Sequence, residues 1–459
     1  MSPTDSERFS RDSETTAAGS IGHDLRAARE AAGLSIARLA RLTAFSESHL
    51  RNAENGNRVV TIDIAEAYDR ALDTGGVIVN LFVAYADDDL GVEWGATPAE
   101  VARGVSGLWR SDMRRRIVLA SAWAVAALAE PLDRWLRDAA DPDVTSSTGR
   151  RVGQADVDAV WSMCAAFHDA DNQLGGGHAR ATLICYGDAV VAPLLAGSYT
   201  DQVGRRLFAA AARLCDVGGF MCFDSGCQGL AQRYYIKALR MAKISGDLAS
   251  GASILTNMSM QAQHQGARPD AISLADAAVA AARRSGSALT LARCHAVRAR
   301  ALALRSDASG SDHALNEAER ALDRAMPGAE PSWITYFTDR QLAAESMYAA
   351  ANLGRSDLVR QHAARAPDVT DGMHRRHVLT TAALASSYLP GEDAAPDAGS
   401  DVGRACDVMR GVLPVLGSLT SARALDAVGA VRRRLAACRL PVVRELEQDL
   451  DRCMAGTRS

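Results

Sequence analysis

The sequence predicts an all-α fold, with a compact N-terminal domain of short helices followed by a solenoid of paired helices. Apolar residues recur at helical spacing through most of the 459 residues. Glycine, proline, aspartate and asparagine, which favour helix ends, fill the breaks. Aromatic residues make up only 5% of the chain, and the abundant alanine suits closely packed helices. Four segments are predicted: a disordered tail over 1–19, the compact domain over 20–86, a helical linker region over 87–155 and helical repeats over 156–459.

The tail is predicted from its composition. Residues 1–19 are rich in Ser, Thr, Asp, Glu and Arg and lack an apolar period. Such a segment cannot bury enough apolar surface to fold alone. It also lacks the hydrophobic stretch of a secretion signal. We therefore expect disorder and not a targeting peptide.

Five short helices are predicted in the compact domain. The first ends at Gly33, a residue suited to the left-handed conformation that follows many helices. Ser35 and Ser46 are expected to cap the second and third helices, and two more are expected over 61–72 and 77–86. The third helix is short, and its outward residues are almost all hydrogen-bonding types. Such a helix suits insertion into a DNA major groove.

Residues 25–56 resemble the Cro/repressor-type (XRE) helix-turn-helix family. The resemblance is carried by the Gly33-Leu34-Ser35 junction, the capping Ser46 and the closing Glu54-Asn55-Gly56. In that family an arginine at the place of Arg29 pairs with a glutamate at the place of Glu54. The resemblance therefore implies a structural ion pair that ties the first helix to the third.

Three residues depart from the family pattern. Ile36 stands where a glutamine usually touches the DNA backbone, Ala44 where the turn has a glycine, and Val60 where a proline precedes the fourth helix. A positive φ at Ala44 would cost about 1 kcal/mol. We expect the fold to survive these changes and the affinity for DNA to be lower than in a typical member.

The resemblance also implies two sets of DNA contacts. Base reading is expected from Glu47, Ser48, Arg51 and Asn52. Phosphate contacts are expected from Ser35, Arg38, Ser46, His49, Asn55, Asn57 and Arg58. Acidic and basic charges nearly balance between residues 20 and 75, which leaves open a domain that no longer binds DNA. The expected partner is an inverted repeat in double-stranded DNA, bound by a homodimer.

The linker region is predicted to be helical. Thr97 and Glu100 form a capping box with Pro98 at the first helical position. The apolar run over 117–129 follows three arginines but is too short to cross a bilayer. A buried helix is the better interpretation, and no membrane association is expected.

Beyond residue 156 the chain repeats one theme of amphipathic helices and polar turns. Helices are expected over 249–263, 271–282, 288–304, 313–325 and 333–352. The turn Leu353-Gly354-Arg355-Ser356-Asp357 resembles those of tetratricopeptide (TPR) repeats, although the spacing is near 40 and not the ~34 residues of a standard repeat. The whole layout resembles actinobacterial regulators of antibiotic production and sporulation, which are often repressors.

A solenoid of this kind leaves a concave wall that can bind a peptide, a protein or a small molecule. The residues predicted to face this groove are Tyr234, Tyr235, Asn257 and Gln261. The histidines of His374-Arg-Arg-His377 lack a third metal ligand, so a solvated face is predicted there. Cys222 and Cys227 are predicted to be buried apolar residues and not a metal site.

The sequence contains no catalytic constellation such as a nucleophile elbow or an HExxH motif. We therefore expect neither an enzyme nor a bound cofactor or metal. Nine cysteines, an odd number without a secretion signal, predict a reduced cytoplasmic setting. The favoured interpretation is a sequence-specific transcription regulator. The alternative is a helical-repeat scaffold that sequesters partners and whose helix-turn-helix reads no DNA.

Overall fold

The computed structural model describes residues 21–55, 58, 60–72, 74, 78, 94–114, 123–139, 141–367, 369–390, 401–438 and 440–455. These residues fall into two compact units. Unit one lies within Met1–Glu93 and Arg110–Ala122, and unit two within Trp94–Trp109 and Trp123–Ser459. The described elements are helices, joined in one place by two isolated β-bridges. The predicted all-α fold, with a small N-terminal domain before helical repeats, is confirmed. The predicted tail, and all of the predicted helix over 77–86 except Ile78, lie outside the described residues.

Unit one contains four described helices around one apolar core. Helix α1 covers residues 21–31, α2 covers Ile36–Leu42, α3 covers Glu47–Glu54 and α4 covers Ile62–Leu72. Each helix contributes at least one fully buried side chain to this core: Leu25, Leu39, Leu50, Ile64 and Tyr68. The apolar stripes of the four helices therefore meet as their spacing predicts.

The turns of unit one follow their predicted chemistry. Gly33 has a φ of 67°, and the N–H of Leu34 donates to the carbonyl of Arg29 at 3.1 Å. The hydroxyls of Ser35 and Ser46 accept N–H groups of the second and third helices at 3.2 and 3.3 Å. These contacts satisfy backbone groups that a helix end leaves without a partner.

Ala44 replaces a turn glycine without the expected strain. Among the described residues, Ser306 is the only non-glycine residue with a positive φ. The backbone at Ala44 is therefore not left-handed, and the turn between α2 and α3 needs no glycine.

Unit two is built from eighteen described α-helices. They are α5 Pro98–Arg114, whose last turn extends into unit one, α6 Ala126–Arg137, α7 Gln154–Leu174, α8 Gly176–Tyr186, α9 Ala192–Leu195, α10 Asp201–Asp224, α11 Gln228–Ser245, α12 Leu248–His264, α13 Arg268–Ser285, α14 Ala288–Ala303, α15 Ala308–Asp323, α16 Asp339–Asn352, α17 Ser356–Ala363, α18 His374–Ser386, α19 Val402–Arg410, α20 Leu413–Leu416, α21 Ala422–Ala436 and α22 Pro441–Ala455. A π turn covers Gly187–Val191, and 3-10 turns cover Ser332–Ile334 and Val369–Asp371. No described helix is both long and apolar enough to cross a bilayer.

The helices of unit two pack mainly against their neighbours in sequence. The most extensive pairs are α10 with α11, α12 with α13 and α14 with α15. The last helices then return to the first, because α18 packs on both α7 and α21. The N–H of Thr420 donates to the carbonyl of Leu174 at 2.8 Å. The array therefore closes on itself.

The predicted linker region is largely part of unit two. Trp135 on α6 packs directly on Gly251 of α12. Arg240 on α11 holds Asp141 at 2.6 Å and donates to the carbonyl of Gly95 at 2.9 Å. Residues 94–109 and most of 123–155 thus pack on the repeats and do not form a separate connection. The sequence motif at 97–100 indicated the helix but not its packing partner.

Glycines at the junction of α7 and α8 permit the closure. A Cβ at Gly175 would lie 2.8 Å from the carbonyl carbon of Thr420, and one at Gly176 would lie 2.9 Å from that of Met221. Both neighbours are backbone atoms and cannot rotate away. The Gly175-Gly176-Gly177 segment therefore forms a turn and also lies in close contact with the backbone of Thr420 and Met221.

Gly176→Ala should destabilise unit two by about 1–3 kcal/mol, because the added methyl group overlaps the backbone of Met221. Urea unfolding of the full chain measures this loss. Gly107→Ala is the matched control, since a Cβ at Gly107 in α5 has open space. That change should stabilise the chain by about 0.5–1 kcal/mol. Equal midpoints for the two variants would contradict the close contact.

Candidate functional site

The outward face of α3 is the candidate nucleic-acid interface. Glu47, Ser48 and Arg51 are exposed, and Asn52 is partly exposed. Their spacing of one and four residues places all four on one side of the helix. Leu50 and Ala53 are buried on the opposite side, and Glu54 is buried in the last turn. The four predicted base-reading residues are therefore brought together on one surface.

The charges on this face lie side by side. The guanidinium of Arg51 lies 3.9 Å from the carboxylate of Glu47, and both side chains are more than half exposed. Such a pair exchanges readily with other partners, because exposed ion pairs contribute little free energy. Arginine bonds to guanine and asparagine to adenine in the major groove. The exposed pair of Arg51 with Glu47 therefore leaves both side chains able to contact DNA bases.

A buried ion pair positions α3. Arg29 on α1 donates to both carboxylate oxygens of Glu54, at 2.6 and 2.9 Å. The hydroxyl of Tyr68 on α4 donates to the same carboxylate at 2.7 Å. The hydrogen bonds that Arg29 donates to Glu54 raise the pKa of Arg29. The Arg29–Glu54 pair expected from the resemblance is present, and Tyr68 is a third member that sequence reasoning missed.

The predicted phosphate contacts lie around α2 and α3. Those exposed to solvent are Ser35, Arg38, Ser46, Asn55 and Arg58. His49 is partly buried, and its ring packs edge-on against Phe45 with the centroids 5.0 Å apart. Asn57 lies outside the described residues. Ile36 packs partly buried against the core of unit one, so its side chain does not replace the usual glutamine.

Unit two contains a second candidate site, the interior cavity. Its empty space amounts to about 860 Å³, including the part open to solvent. It lies between α7, α10, α12, α14, α16, α18 and α21 and the segment around the 3-10 turn Ser332–Ile334. Among its lining residues are the arginines Arg213, Arg293, Arg300, Arg375, Arg376 and Arg423 and the aromatic residues Phe220, Trp333, Tyr336 and Tyr348.

Glu345 joins two of these arginines. Its carboxylate accepts from Arg300 at 2.9 Å and from Arg376 at 2.8 Å. Burial alone would raise the pKa of Glu345, but the two guanidinium groups outweigh burial and hold the pKa at about 2. The carboxylate is therefore ionised at neutral pH, with two positive partners.

Arg375 connects α18 with α7 and α10. It donates to Asp171 at 2.8 Å and lies 3.4 Å from Asp224. Burial raises the pKa of Asp171 to about 6, although Arg375 opposes the shift. The sequence prediction of a solvated face at residues 374–377 was wrong for Arg375, which is 7% exposed. It pairs with carboxylates more than 150 residues away, and no local pattern indicates them.

Of the four residues predicted to face the groove, one lines the interior cavity and three do not. Asn257 lines the interior cavity and donates to Asp216 at 2.8 Å. Tyr234 and Tyr235 have no exposed surface and lie outside the cavity lining. Gln261 is buried and donates to the carbonyl of Gln228 at 2.6 Å. Polar and aromatic residue types alone did not separate cavity positions from packing positions.

Six of the nine cysteines are buried, whereas Cys185 is exposed and Cys438 and Cys453 are partly exposed. Cys222 and Cys227 are buried. All nine cysteines lie in the described residues, and none forms a disulfide. Burial raises the pKa of Cys164 to about 12, so this thiol stays protonated and unreactive at neutral pH.

Comparison with known proteins identifies the N-terminal unit. The sequence profile of a family described as "Helix-turn-helix domain" matches residues 20–81. No curated protein and no solved structure matches the chain. The profile covers α1 to α4, including the exposed face of α3 and the buried pair that holds it. Residues 20–81 are therefore a helix-turn-helix domain of the XRE type, and their partner class is DNA.

Proposed function

We propose that the protein is a sequence-specific transcription regulator that reads double-stranded DNA through α3 and performs no catalysis. The observation that carries this proposal is the exposed set of Glu47, Ser48, Arg51 and Asn52. The buried contact of Arg29 with Glu54 fixes the orientation of that set. Groups held on a rigid helix lose little entropy on binding, which favours base reading.

The finer parts of the proposal rest on the resemblance described above. The protein acts in the cytoplasm as a homodimer on an inverted repeat, with two copies of α3 about one DNA turn apart. It is a repressor of genes for secondary metabolism or sporulation. The repeats mediate dimerisation and bind an effector, which changes DNA affinity through its preference for one of two states.

Arg51→Ala and Asn52→Ala should each weaken specific DNA binding by about 1–3 kcal/mol, because each removes a base contact. The operator is first selected from random duplexes with the full-length chain. Gel shifts on operator and scrambled duplexes at the same salt concentration then measure specificity. Arg70→Ala is the matched control, since Arg70 is an exposed arginine on α4. Equal losses on the two duplexes would contradict base reading by these residues.

A scaffold that sequesters partners is the second candidate. The packing of Ile36 against the core favours it, because α2 then lacks one usual backbone contact with DNA. This candidate predicts that selection from random duplexes enriches no sequence. An enriched sequence, bound more weakly after Arg51→Ala, excludes it.

A further inference from the structure

The interior cavity carries more positive than negative charge. Among the described residues, its six arginines are accompanied by four carboxylates: Asp171, Asp216, Asp224 and Glu345. The arginines therefore exceed the carboxylates by two. Burial lowers the pKa of His168 well below its usual range, and three of the arginines lower it further, so this ring stays neutral. An excess of buried charge is costly without a counter-charge.

Of the six arginines that line the cavity, Arg293 is the one whose hydrogen-bond partners are neutral. Its guanidinium donates to Ser253 Oγ at 3.1 Å and to Asn257 Oδ1 at 2.5 Å. The residue is 8% exposed, and no carboxylate of the described chain lies within ion-pair distance of it. A buried guanidinium in this state is suited to bind an oxyanion, which it can hold through two parallel hydrogen bonds.

Two unsatisfied donors point to the same conclusion. Arg300 Nε and the hydroxyl of Tyr348 are buried without a hydrogen-bond partner, and so is Asp171 Oδ1. The first two are donors, and Arg300 lies on α14 two turns after Arg293, on the same side of the helix. Buried polar atoms are nearly always paired in folded proteins. A bound oxyanion would supply the acceptor that these donors lack.

Aromatic rings form the rest of the wall. The Arg213 guanidinium lies over Trp333 at 5.5 Å, and that of Arg300 lies over Tyr348 at 4.8 Å. Trp333 and Tyr336 are partly exposed and also line a neighbouring cavity. These rings provide flat apolar surface beside the charged groups. The combination suits a ligand with a planar apolar body and an anionic end.

We propose that the interior cavity binds a small organic anion, with its carboxylate or phosphate group at Arg293 and Arg300 and its planar body against the aromatic rings. The bound anion is the effector of the proposed function, on which this assignment rests. Binding is measured without DNA, so its outcome is separate from that of the operator experiments.

The test uses the full-length chain and four probes: benzoate, phenyl phosphate, inorganic phosphate and the neutral benzamide. Isothermal titration at millimolar concentration should detect benzoate or phenyl phosphate, and benzamide should bind at least tenfold more weakly. Stronger binding of benzoate assigns a carboxylate ligand, and stronger binding of phenyl phosphate assigns a phosphate ligand. This comparison needs no variant and is therefore independent of folding defects.

Arg293→Met should weaken binding of the better probe by roughly tenfold to a hundredfold, because a charge-assisted hydrogen bond is lost. Arg298→Met is the matched control on the same helix, since Arg298 pairs with Asp276 at the surface. It should leave binding unchanged. The proposal is overturned if no anionic probe binds the wild-type chain, if benzamide binds as well as benzoate, or if the two arginine variants bind equally. If inorganic phosphate binds but neither benzoate nor phenyl phosphate does, the ligand has no planar apolar body and this proposal is wrong.

Discussion

Glu54→Ala should destabilise the N-terminal domain by about 3–5 kcal/mol, since it leaves the buried Arg29 guanidinium without its carboxylate. The hydroxyl of Tyr68 loses the same acceptor. A domain of this size has little stability to spare. Hydrogen exchange of the full-length chain measures the effect, because it reports local stability helix by helix. Protection should fall in α1, α3 and α4 and persist in unit two.

The control for this prediction uses a second carboxylate near the same arginine. Glu30 lies 3.4 Å from Arg29, but its side chain is 57% exposed. Glu30→Ala should therefore change the stability of the domain by less than about 1 kcal/mol. If both variants lost protection equally, burial would not be the cause. Unchanged protection after Glu54→Ala would show that the pair does not hold α3 in place.

Glu345→Ala should destabilise unit two by about 3–5 kcal/mol, because Arg300 and Arg376 share this one buried carboxylate. Urea unfolding followed by tryptophan fluorescence measures the loss, since the described tryptophans lie in unit two. Glu317→Ala is the control, because Glu317 pairs with Arg320 at the surface. It should leave the urea midpoint nearly unchanged. Equal midpoints for the two variants would contradict a buried bridging role.

The same carboxylate predicts a pH dependence. Its pKa is about 2 in the folded chain, against 4.5 for an unperturbed glutamate. The stabilisation by ionised Glu345 is therefore fully present above pH 4.5 and is lost as the pH falls through 2. The difference in unfolding free energy between wild type and Glu345→Ala should shrink over this interval. A difference that stayed constant to pH 2 would show that the ionised carboxylate is not stabilised.

The N-terminal domain was predictable because its signals are local. Gly33 ends α1, Ser35 caps α2 and Ser46 caps α3, and each acts within a few residues of its own position. The position of Tyr68 beside Glu54 was not predictable, since it depends on how α4 packs. The exposed face of α3 followed from helical periodicity alone.

The interior cavity was not predictable because its members are distant in sequence. Arg375 and Asp171 are 204 residues apart, and nothing around either residue specifies the other. Residue type predicts a groove position for Asn257 as it does for Tyr234 and Gln261, but only the folded array places Asn257 in the cavity. The array could be predicted as stacked helical pairs, whereas its closure depends on the contact of Thr420 with Gly175, which no repeat pattern encodes.

Thr420 and Leu174 join two ends of the repeat array that are 246 residues apart. An open solenoid can gain or lose a repeat, and its stability grows roughly as a sum of neighbouring terms. A ring has no such freedom, because an inserted repeat moves the last helix away from the first. Duplication or deletion of one helical pair should therefore be poorly tolerated in this protein. Long-range closure also slows folding, so the ring should assemble late and melt as one cooperative unit.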